Sequence, residues 1–284
     1  MVANKGVPVV DMRTGGSEFT KRLGDGLENF GFVAIVNHGI ETRLLKQAYD
    51  TARRVFVLPT EIKNKYQTPE TGRQVGYTPF QMEHAKDSDL PDLKEFWHIV
   101  RPGNRSYLNV YPREVPDFEM IMPELFRALD KISVHLLTSI RDYLNYRTDK
   151  LTEMVNGGNS ILRILHYPNI NSDVEGMRSA PHEDINLLTL MVAATTPGLE
   201  IKNRQGEWIP VNNPPNSIIV NSGDMLELYT FGRISSATHR VVNPDKPDGG
   251  RYSLPFFVMP RPETALVTAG CFLEQRLRDN RVMS

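Results

Sequence analysis

A histidine and an aspartate lie two residues apart in the second half of the chain and could ligate one metal ion. They are His182 and Asp184, in the run APHEDINLLTLM that enters a strand. Residues i and i+2 of an extended segment point to the same side, so the imidazole and the carboxylate can converge while Glu183 faces away. A pair at this spacing arises often by chance, and two ligands on one strand need a third from elsewhere.

The candidate for the third ligand is His239, which lies in the apolar run SSATHRVV, 55 residues after Asp184. A lone histidine on a strand is more typical of a packed core or a strand rim. Two histidines and one carboxylate, however, form the facial triad that leaves open coordination positions on non-haem Fe(II). Two open positions would suit a chelating co-substrate, and the third would suit O₂.

An arginine and a serine at the start of the last strand could bind a carboxylate. Arg251 and Ser253 share one face of an extended segment. A guanidinium and a hydroxyl on one face suit a carboxylate, to which the arginine can donate charge-assisted bonds. Tyr167, in LRILHYP, could add a phenol to the same carboxylate. The alternatives are an arginine paired with a surface acid and an ordinary core tyrosine.

The elements that must position these residues divide the chain into two parts. Residues 1–159 are expected to be largely helical support with a substrate-side loop, since apolar residues recur there at helical spacing. Residues 160–284 are expected to form a β-rich core and a C-terminal segment. Short β-rich runs between turn residues predict a sandwich or jelly roll in a single α+β domain. These runs are 161–167, 186–193, 199–202, 208–211, 217–221, 225–229, 237–242 and 251–258.

Composition excludes several classes of partner. With 33 Lys and Arg against 34 Asp and Glu, the formal net charge is −1, which predicts neither a nucleic-acid nor an anionic-membrane partner. The single cysteine, Cys271, excludes an intrachain disulfide and a thiolate metal cluster. No apolar run is long enough for a membrane span, and no signal peptide is recognised. We expect a cytoplasmic protein, and nothing in the sequence predicts its oligomeric state.

The order of several motifs resembles a known family over nearly the whole chain. The chain is similar to the isopenicillin-N-synthase-like branch of the Fe(II)/2-oxoglutarate-dependent oxygenases. This resemblance implies a double-stranded β-helix (a cupin-like jelly roll) with N-terminal and supporting helices. The matching motifs are VPVVD at 7–11, GFVAIVNHGI at 31–40, FVLP at 56–59 followed by Glu61 and Lys63, KEFWH at 94–98, VNSGD at 220–224, THRVV at 238–242 and RYS at 251–253.

The resemblance also implies an activity and assigns roles. The three candidate ligands would bind Fe(II), and Arg251 and Ser253 would hold the distal carboxylate of 2-oxoglutarate with help from Tyr167. Phe257 matches an aromatic that lines the pocket. The implied reaction uses O₂, with ascorbate as a candidate reductant. It couples decarboxylation of 2-oxoglutarate to hydroxylation, desaturation or cyclisation of a small-molecule substrate.

Two features depart from the family pattern. Leu165 stands two residues before Tyr167, where relatives often carry an asparagine that assists the co-substrate. The segment 243–250 before Arg251 is slightly long, which predicts a looser hairpin. Two alternatives remain. The first is an Fe(II) oxidase of the same family that does not consume 2-oxoglutarate, because such members share the Arg-x-Ser motif. The second is a non-catalytic jelly-roll binding protein.

The substrate side is expected to involve the loop 72–92 together with Tyr77, Glu95, Trp97, Arg163 and Phe257. Arg163 shares a face with Tyr167 in the predicted strand, so it should point into the same space and needs a partner there. That partner is either Glu95, which would make Arg163 structural, or an anionic group of the substrate or co-substrate. The second alternative predicts an anionic substrate.

Overall fold

The computed structural model describes residues 6–85, 88–104, 106–170, 174–211 and 214–267. Helices occupy mainly the first half of the chain, and strands the second. The helices are α1 Gly16–Phe30, α2 Thr42–Phe56, α3 Thr60–Lys63, α4 Phe118–Tyr143, α5 Lys150–Glu153 and α6 Asp224–Tyr229. The strands are β1 Val9–Asp11, β2 Phe32–Val36, β3 Gly76–Thr78, β4 Glu95–Val100, β5 Ile161–Tyr167, β6 Ser179–His182, β7 Leu188–Val192, β8 Leu199–Lys202, β9 Trp208–Pro210, β10 Ile218–Ser222, β11 His239–Val241 and β12 Arg251–Val258.

The strands form two sheets. The larger sheet has eight strands in the order β1-β2-β10-β7-β12-β5-β4-β3, and the smaller has four in the order β6-β11-β8-β9. Four neighbouring strands of the larger sheet, β10-β7-β12-β5, are antiparallel and pack with the smaller sheet. Two facing antiparallel sheets of this kind form the predicted jelly roll. The other strands of the larger sheet come from the N-terminal half of the chain.

The larger sheet has an outer face covered by helices and an inner face turned towards the smaller sheet. Helix α4 contacts β4, β5, β7 and β12 on the outer face. Because side chains alternate along a strand, Leu254 and Phe256 join the outer core, whereas Arg251 and Ser253 point inwards. Phe96, Leu165 and Tyr167 pack on the inner face against residues of β8 and β11. The strand alternation therefore delivers the polar residues of β12 to the space between the sheets.

The structure corrects the sequence analysis at three elements, the first being β3, which lies within the predicted loop 72–92. The predicted strand over 225–229 is helix α6, because a short apolar run does not distinguish a strand from a buried helical turn. Strand β6 was not predicted, and Pro181 within it lacks the backbone N–H that strand pairing uses. It lies at the edge of the smaller sheet, where a missing backbone donor is tolerated, and Pro181 is exposed there.

The helices of the described residues include none with the length and apolar character needed to cross a membrane. Cys271 lies outside the described residues.

Candidate metal centre and co-substrate pocket

The three predicted metal ligands lie together between the sheets. His182 ends β6, and His239 begins β11 directly opposite it in the antiparallel pair. Asp184 follows β6 by two residues. The Nε2 atom of His182 is 3.8 Å from one oxygen of Asp184, and Nε2 of His239 is 3.9 Å from the other. One ligand atom from each residue lies within 4.8 Å of the other two, close enough for one ion.

Backbone carbonyls orient both imidazoles. Nδ1 of His182 donates to the carbonyl of Ala180 at 2.8 Å, and Nδ1 of His239 donates to that of Ala237 at 3.0 Å. A carbonyl only accepts, so each Nδ1 carries the proton and each Nε2 lone pair is free for a metal. Burial, together with the neighbouring His239, lowers the pKa of His182 to about 4. The ring is therefore neutral at pH 7, as a metal ligand must be.

The carboxylate of Asp184 is held by the larger sheet. Thr189 on β7 and Asn221 on β10 both donate to its Oδ2 atom, at 2.5 and 2.8 Å. Burial alone would raise the pKa of Asp184, but the two imidazoles and these two bonds hold it below its ordinary value. Both bonds fall on Oδ2, which leaves Oδ1 for a ligand. The donor set, two imidazole nitrogens and one carboxylate, fits Fe(II) with open positions.

A glycine brings the backbone of Asp184 close to helix α6. Asp224 N donates to the carbonyl of Asp184 at 2.8 Å. A Cβ atom on Gly223 would lie 2.5 Å from that carbonyl oxygen, which is too close for any side chain. The glycine of the VNSGD motif therefore allows α6 to fix the loop that carries Asp184.

Arg251, Ser253 and Tyr167 lie together on the inner face, as predicted. Arg251 is directly opposite Tyr167 across β12 and β5, and its guanidinium carbon lies 5.0 Å from the tyrosine ring centroid. Only 1% of Arg251 is exposed. Its Nε donates to the carbonyl of Thr196 at 3.2 Å, but its Nη1 and the Oγ of Ser253 have no partner among the described residues.

The surroundings of Arg251 call for an external anion. Within the described residues, Arg251 forms no ion pair with any Asp or Glu. Burial lowers the pKa of Arg251, but the guanidinium remains charged at pH 7. A buried charge without a counter-ion is costly, so the site fits a ligand carboxylate. Leu165 lies opposite Ser253 and is apolar, so it adds no hydrogen bond to such a ligand.

The partner of Arg163 is neither of the two predicted ones. Arg163 does point to the inner face, but Glu83 of the preceding loop binds its Nη1 and Nη2, both at 3.0 Å. Its Nε donates to Nε2 of His98 at 2.7 Å. The guanidinium carbon lies 4.2 Å from the ring centroid of Phe96 and 5.1 Å from that of Phe257. Glu83 was not singled out in the sequence because it lies in a loop without a periodic pattern.

The predicted substrate-side role of Tyr77, Glu95 and Trp97 is wrong, because these side chains point to the outer face. Tyr77 and Trp97 belong to the outer core, and Trp97 Nε1 donates to the carbonyl of Val110 at 3.0 Å. Glu95 accepts bonds from Lys63, Tyr77 and His166 on that side. Phe257 does lie on the inner face, and its role in substrate binding stays a prediction.

Comparison with known proteins supports the chemistry of this site. Residues 7–117 match the family model of the N-terminal region of the non-haem dioxygenases of morphine synthesis, and residues 158–260 match that of the 2OG-Fe(II) oxygenase superfamily. A 2-oxoglutarate-Fe(II) type oxidoreductase of Aspergillus fumigatus is 30% identical over 267 residues, which cover 87% of this chain and 78% of the relative.

Two solved structures share the fold. A 2OG-Fe(II) oxygenase family protein of Caulobacter crescentus is 36% identical with a TM-score of 0.82, covering 96% of this chain and 99% of that one. A full-length protein of Neurospora crassa, solved in complex with alpha-KG and thymine, is 23% identical with a TM-score of 0.81 and covers 99% of each chain. The chain therefore belongs to the 2OG-Fe(II) oxygenase superfamily and is an Fe(II)- and 2-oxoglutarate-dependent dioxygenase that acts on a small molecule.

Proposed function

We propose that this chain hydroxylates a small organic molecule at an iron held by His182, Asp184 and His239. The distances among the three side chains, and the carbonyl bonds that turn both Nε2 atoms inwards, support this ligand set. When bound, the iron supplies the O₂ chemistry by which 2-oxoglutarate is converted to succinate and CO₂ while the substrate is oxidised. The chain itself supplies ligands, orientation and exclusion of water.

The co-substrate is proposed to lie with its distal carboxylate on Arg251 and Ser253, beside Tyr167. The observation that carries this assignment is the pair of buried donors, Arg251 Nη1 and Ser253 Oγ, which lack acceptors among the described residues. A carboxylate satisfies both donors and neutralises the guanidinium. Thr196, which accepts the bond from Arg251 Nε, helps to fix the orientation of the guanidinium.

The charge of the substrate was expected to be negative because Arg163 needed a partner. Glu83 now supplies that partner. Burial opposes ionisation of Glu83, but Arg163 and Lys94 hold its pKa well below the ordinary value. Lys94 also pairs with Asp92 at 2.7 Å. The part of the inner face around Arg163 therefore carries two cations, Arg163 and Lys94, and two anions, Glu83 and Asp92. Because these charges balance, we propose that the part of the substrate that contacts this region is uncharged.

A comparison of matched carboxylic acids and carboxamides tests the charge of the substrate. The wild-type enzyme should turn over amides in preference to acids. Glu83→Gln leaves Arg163 without its anion and should shift the preference towards acids, whereas Glu83→Asp keeps the negative charge and should not. Succinate formation measures turnover, and an unchanged acid-to-amide ratio in Glu83→Gln would contradict the proposal.

The reaction itself is tested by incubating the Fe(II)-loaded protein with 2-oxoglutarate and a library of small molecules. The proposal predicts succinate in a 1:1 ratio with a product that gains one oxygen. A product that loses two hydrogens would indicate desaturation or cyclisation instead. Oxygen uptake without succinate would indicate a 2-oxoglutarate-independent oxidase, and no uptake with any substrate would favour a binding protein.

A further inference from the structure

The segment that leads into Arg251 is tied down, although its length predicted a loose hairpin. Asn243 accepts a bond from the backbone N–H of Arg178 at 2.9 Å and donates to the carbonyl of Gly176 at 2.9 Å. Asp248 receives both terminal nitrogens of Arg178, at 2.8 and 2.7 Å. Both ends of the segment are therefore fixed to the chain that enters β6.

Asp248 is also connected to Arg251 through two short paths. Its carboxylate accepts from Gly250 N at 3.0 Å and from Thr196 Oγ1 at 3.3 Å. Gly250 directly precedes Arg251, and the carbonyl of Thr196 accepts the bond from Arg251 Nε. Gly250 has a φ of +92°, and a Cβ there would lie 3.1 Å from the carbonyl oxygen of Tyr167, so the turn requires glycine.

Two guanidiniums are buried in this region, but among the described residues only that of Arg178 has a carboxylate partner. Arg178 and Arg251 are each 1% exposed. Asp248 binds Arg178 with both oxygens, which leaves Arg251 as the guanidinium available to a ligand. The bidentate bonds from Arg178 outweigh desolvation and lower the pKa of Asp248, so its charge is present at pH 7.

We propose that Arg178 and Asp248 are positioning residues for 2-oxoglutarate. Their ion pair fixes the segment 243–250. Through Thr196 and Gly250 it also holds Arg251 in the orientation that binds the distal carboxylate of 2-oxoglutarate. Neither residue touches the co-substrate. This inference rests on the proposed function, in which Arg251 binds 2-oxoglutarate.

The test is the affinity of the Mn(II)-loaded protein for 2-oxoglutarate, measured by calorimetry, with steady-state kinetics of the Fe(II) enzyme beside it. Asp248→Asn and Arg178→Met should each weaken 2-oxoglutarate binding about tenfold, the effect of one charge-assisted bond. The double variant should bind 2-oxoglutarate no more weakly than either single variant, because both residues belong to the same ion pair. The kcat at saturating 2-oxoglutarate should stay within about twofold of the wild-type value.

The direction of the two single effects separates positioning from simple charge. A pure charge effect would make Asp248→Asn bind the dianion more tightly and Arg178→Met bind it less tightly. Opposite signs, or an unchanged dissociation constant in a folded Asp248→Asn protein, would overturn the proposal.

Three further variants keep the test interpretable. Asp130→Asn breaks a second bidentate pair, with Arg101 at 2.7 and 2.8 Å, and should lower the melting temperature without changing 2-oxoglutarate affinity. Asp248→Glu keeps the charge and should recover part of the affinity. Arg251→Gln should weaken binding in any case. If Arg251→Gln does not change 2-oxoglutarate binding, the proposed function is wrong. If Arg251→Gln weakens binding and Asp248→Asn does not, only the positioning role of Arg178 and Asp248 is wrong.

Discussion

The larger sheet buries charged side chains on both of its faces, and only on the inner face is one of them, Arg251, left without a complete set of partners among the described residues. On the outer face, Lys63 donates to Oε2 of Glu95 at 2.7 Å, Tyr77 donates to the same oxygen, and His166 donates to Oε1 at 2.7 Å. On the inner face, Arg251 Nη1 lacks a partner among the described residues. The comparison teaches that a missing counter-ion, and not burial or charge alone, distinguishes the binding site at Arg251 from a structural cluster.

The inner face itself supports this distinction. Arg163 faces the same space as Arg251, yet Glu83, His98 and two aromatic rings satisfy it. Burial opposes the positive charge of Lys94, but Glu83 and Asp92 raise its pKa above the ordinary value. A position facing the pocket is therefore not sufficient evidence for a ligand contact.

The largest effect is expected at the metal ligands. Replacing His182, Asp184 or His239 by alanine should abolish turnover, because each removes one of three protein ligands. The fold should survive, since the cores on both faces of the larger sheet do not include these side chains. Iron content and succinate formation measure the loss, and circular dichroism measures the fold. Normal turnover and iron content in Asp184→Ala would refute the assignment.

The outer cluster should respond in stability and not in binding. Glu95→Gln leaves Lys63 as a buried cation without its anion, which should lower the free energy of unfolding by about 3–5 kcal/mol. The dissociation constant for 2-oxoglutarate should not change. Urea denaturation and calorimetry measure the two quantities.

The control for Glu95→Gln is Glu200→Gln, whose partner Arg240 is partly exposed on the smaller sheet. This pair should cost less than about 1 kcal/mol. Equal destabilisation by both variants would mean that completeness of the buried cluster does not matter.

Replacing Arg251 should weaken the binding of 2-oxoglutarate and leave the stability of the fold nearly unchanged. Arg251→Gln should raise the apparent constant for 2-oxoglutarate by about 10- to 150-fold, which corresponds to about 1.5–3 kcal/mol. The free energy of unfolding should hardly fall, because Arg251 has no ion pair to lose among the described residues. Unchanged dependence on 2-oxoglutarate in the folded variant would contradict the assignment of the pocket.

The smallest effect is a pH dependence that arises from His98. Burial, reinforced by the charge of Arg163, lowers the pKa of His98 from 6.5 to about 3. Between these values the unfolded chain binds a proton that the folded protein excludes, so stability falls as the pH falls. The slope is about 1.4 kcal/mol per pH unit for one proton. His98→Gln should lose this contribution when urea denaturation is compared at pH 6 and pH 5, and identical slopes in the variant and the wild-type protein would contradict it.

Alternation along a strand predicted which candidate residues share a face. It placed His182 beside Asp184, and Arg251 beside Ser253. The i and i+2 spacing places Arg251 and Ser253 together on β12, whose bounds the sequence predicted correctly. Asp184 converges with His182 even though it lies beyond β6, because Thr189 and Asn221 hold its carboxylate and the backbone N–H of Asp224 holds its carbonyl.

Long-range pairing could not be predicted from the same patterns. The face to which Glu95 and Trp97 point depends on how β4 pairs with β5, where Glu95 lies opposite His166 and His98 lies opposite Arg163. This register is not visible in either strand alone. Glu83 reaches Arg163 from a loop 80 positions earlier in the chain, and no spacing rule covers such a contact.

Asp184 also links the two sheets mechanically. Its backbone continues from β6 of the smaller sheet, while its carboxylate is bonded to Thr189 and Asn221 of the larger one. Any motion that parts the sheets must pull this carboxylate from its donors and widen the triangle formed with the two imidazoles. A metal ion bound there therefore stabilises the contact between the two sheets. It raises the free energy of separating them by RT ln(1 + [M]/Kd). Amide hydrogens of β6 and β11 should consequently exchange more slowly in the loaded protein.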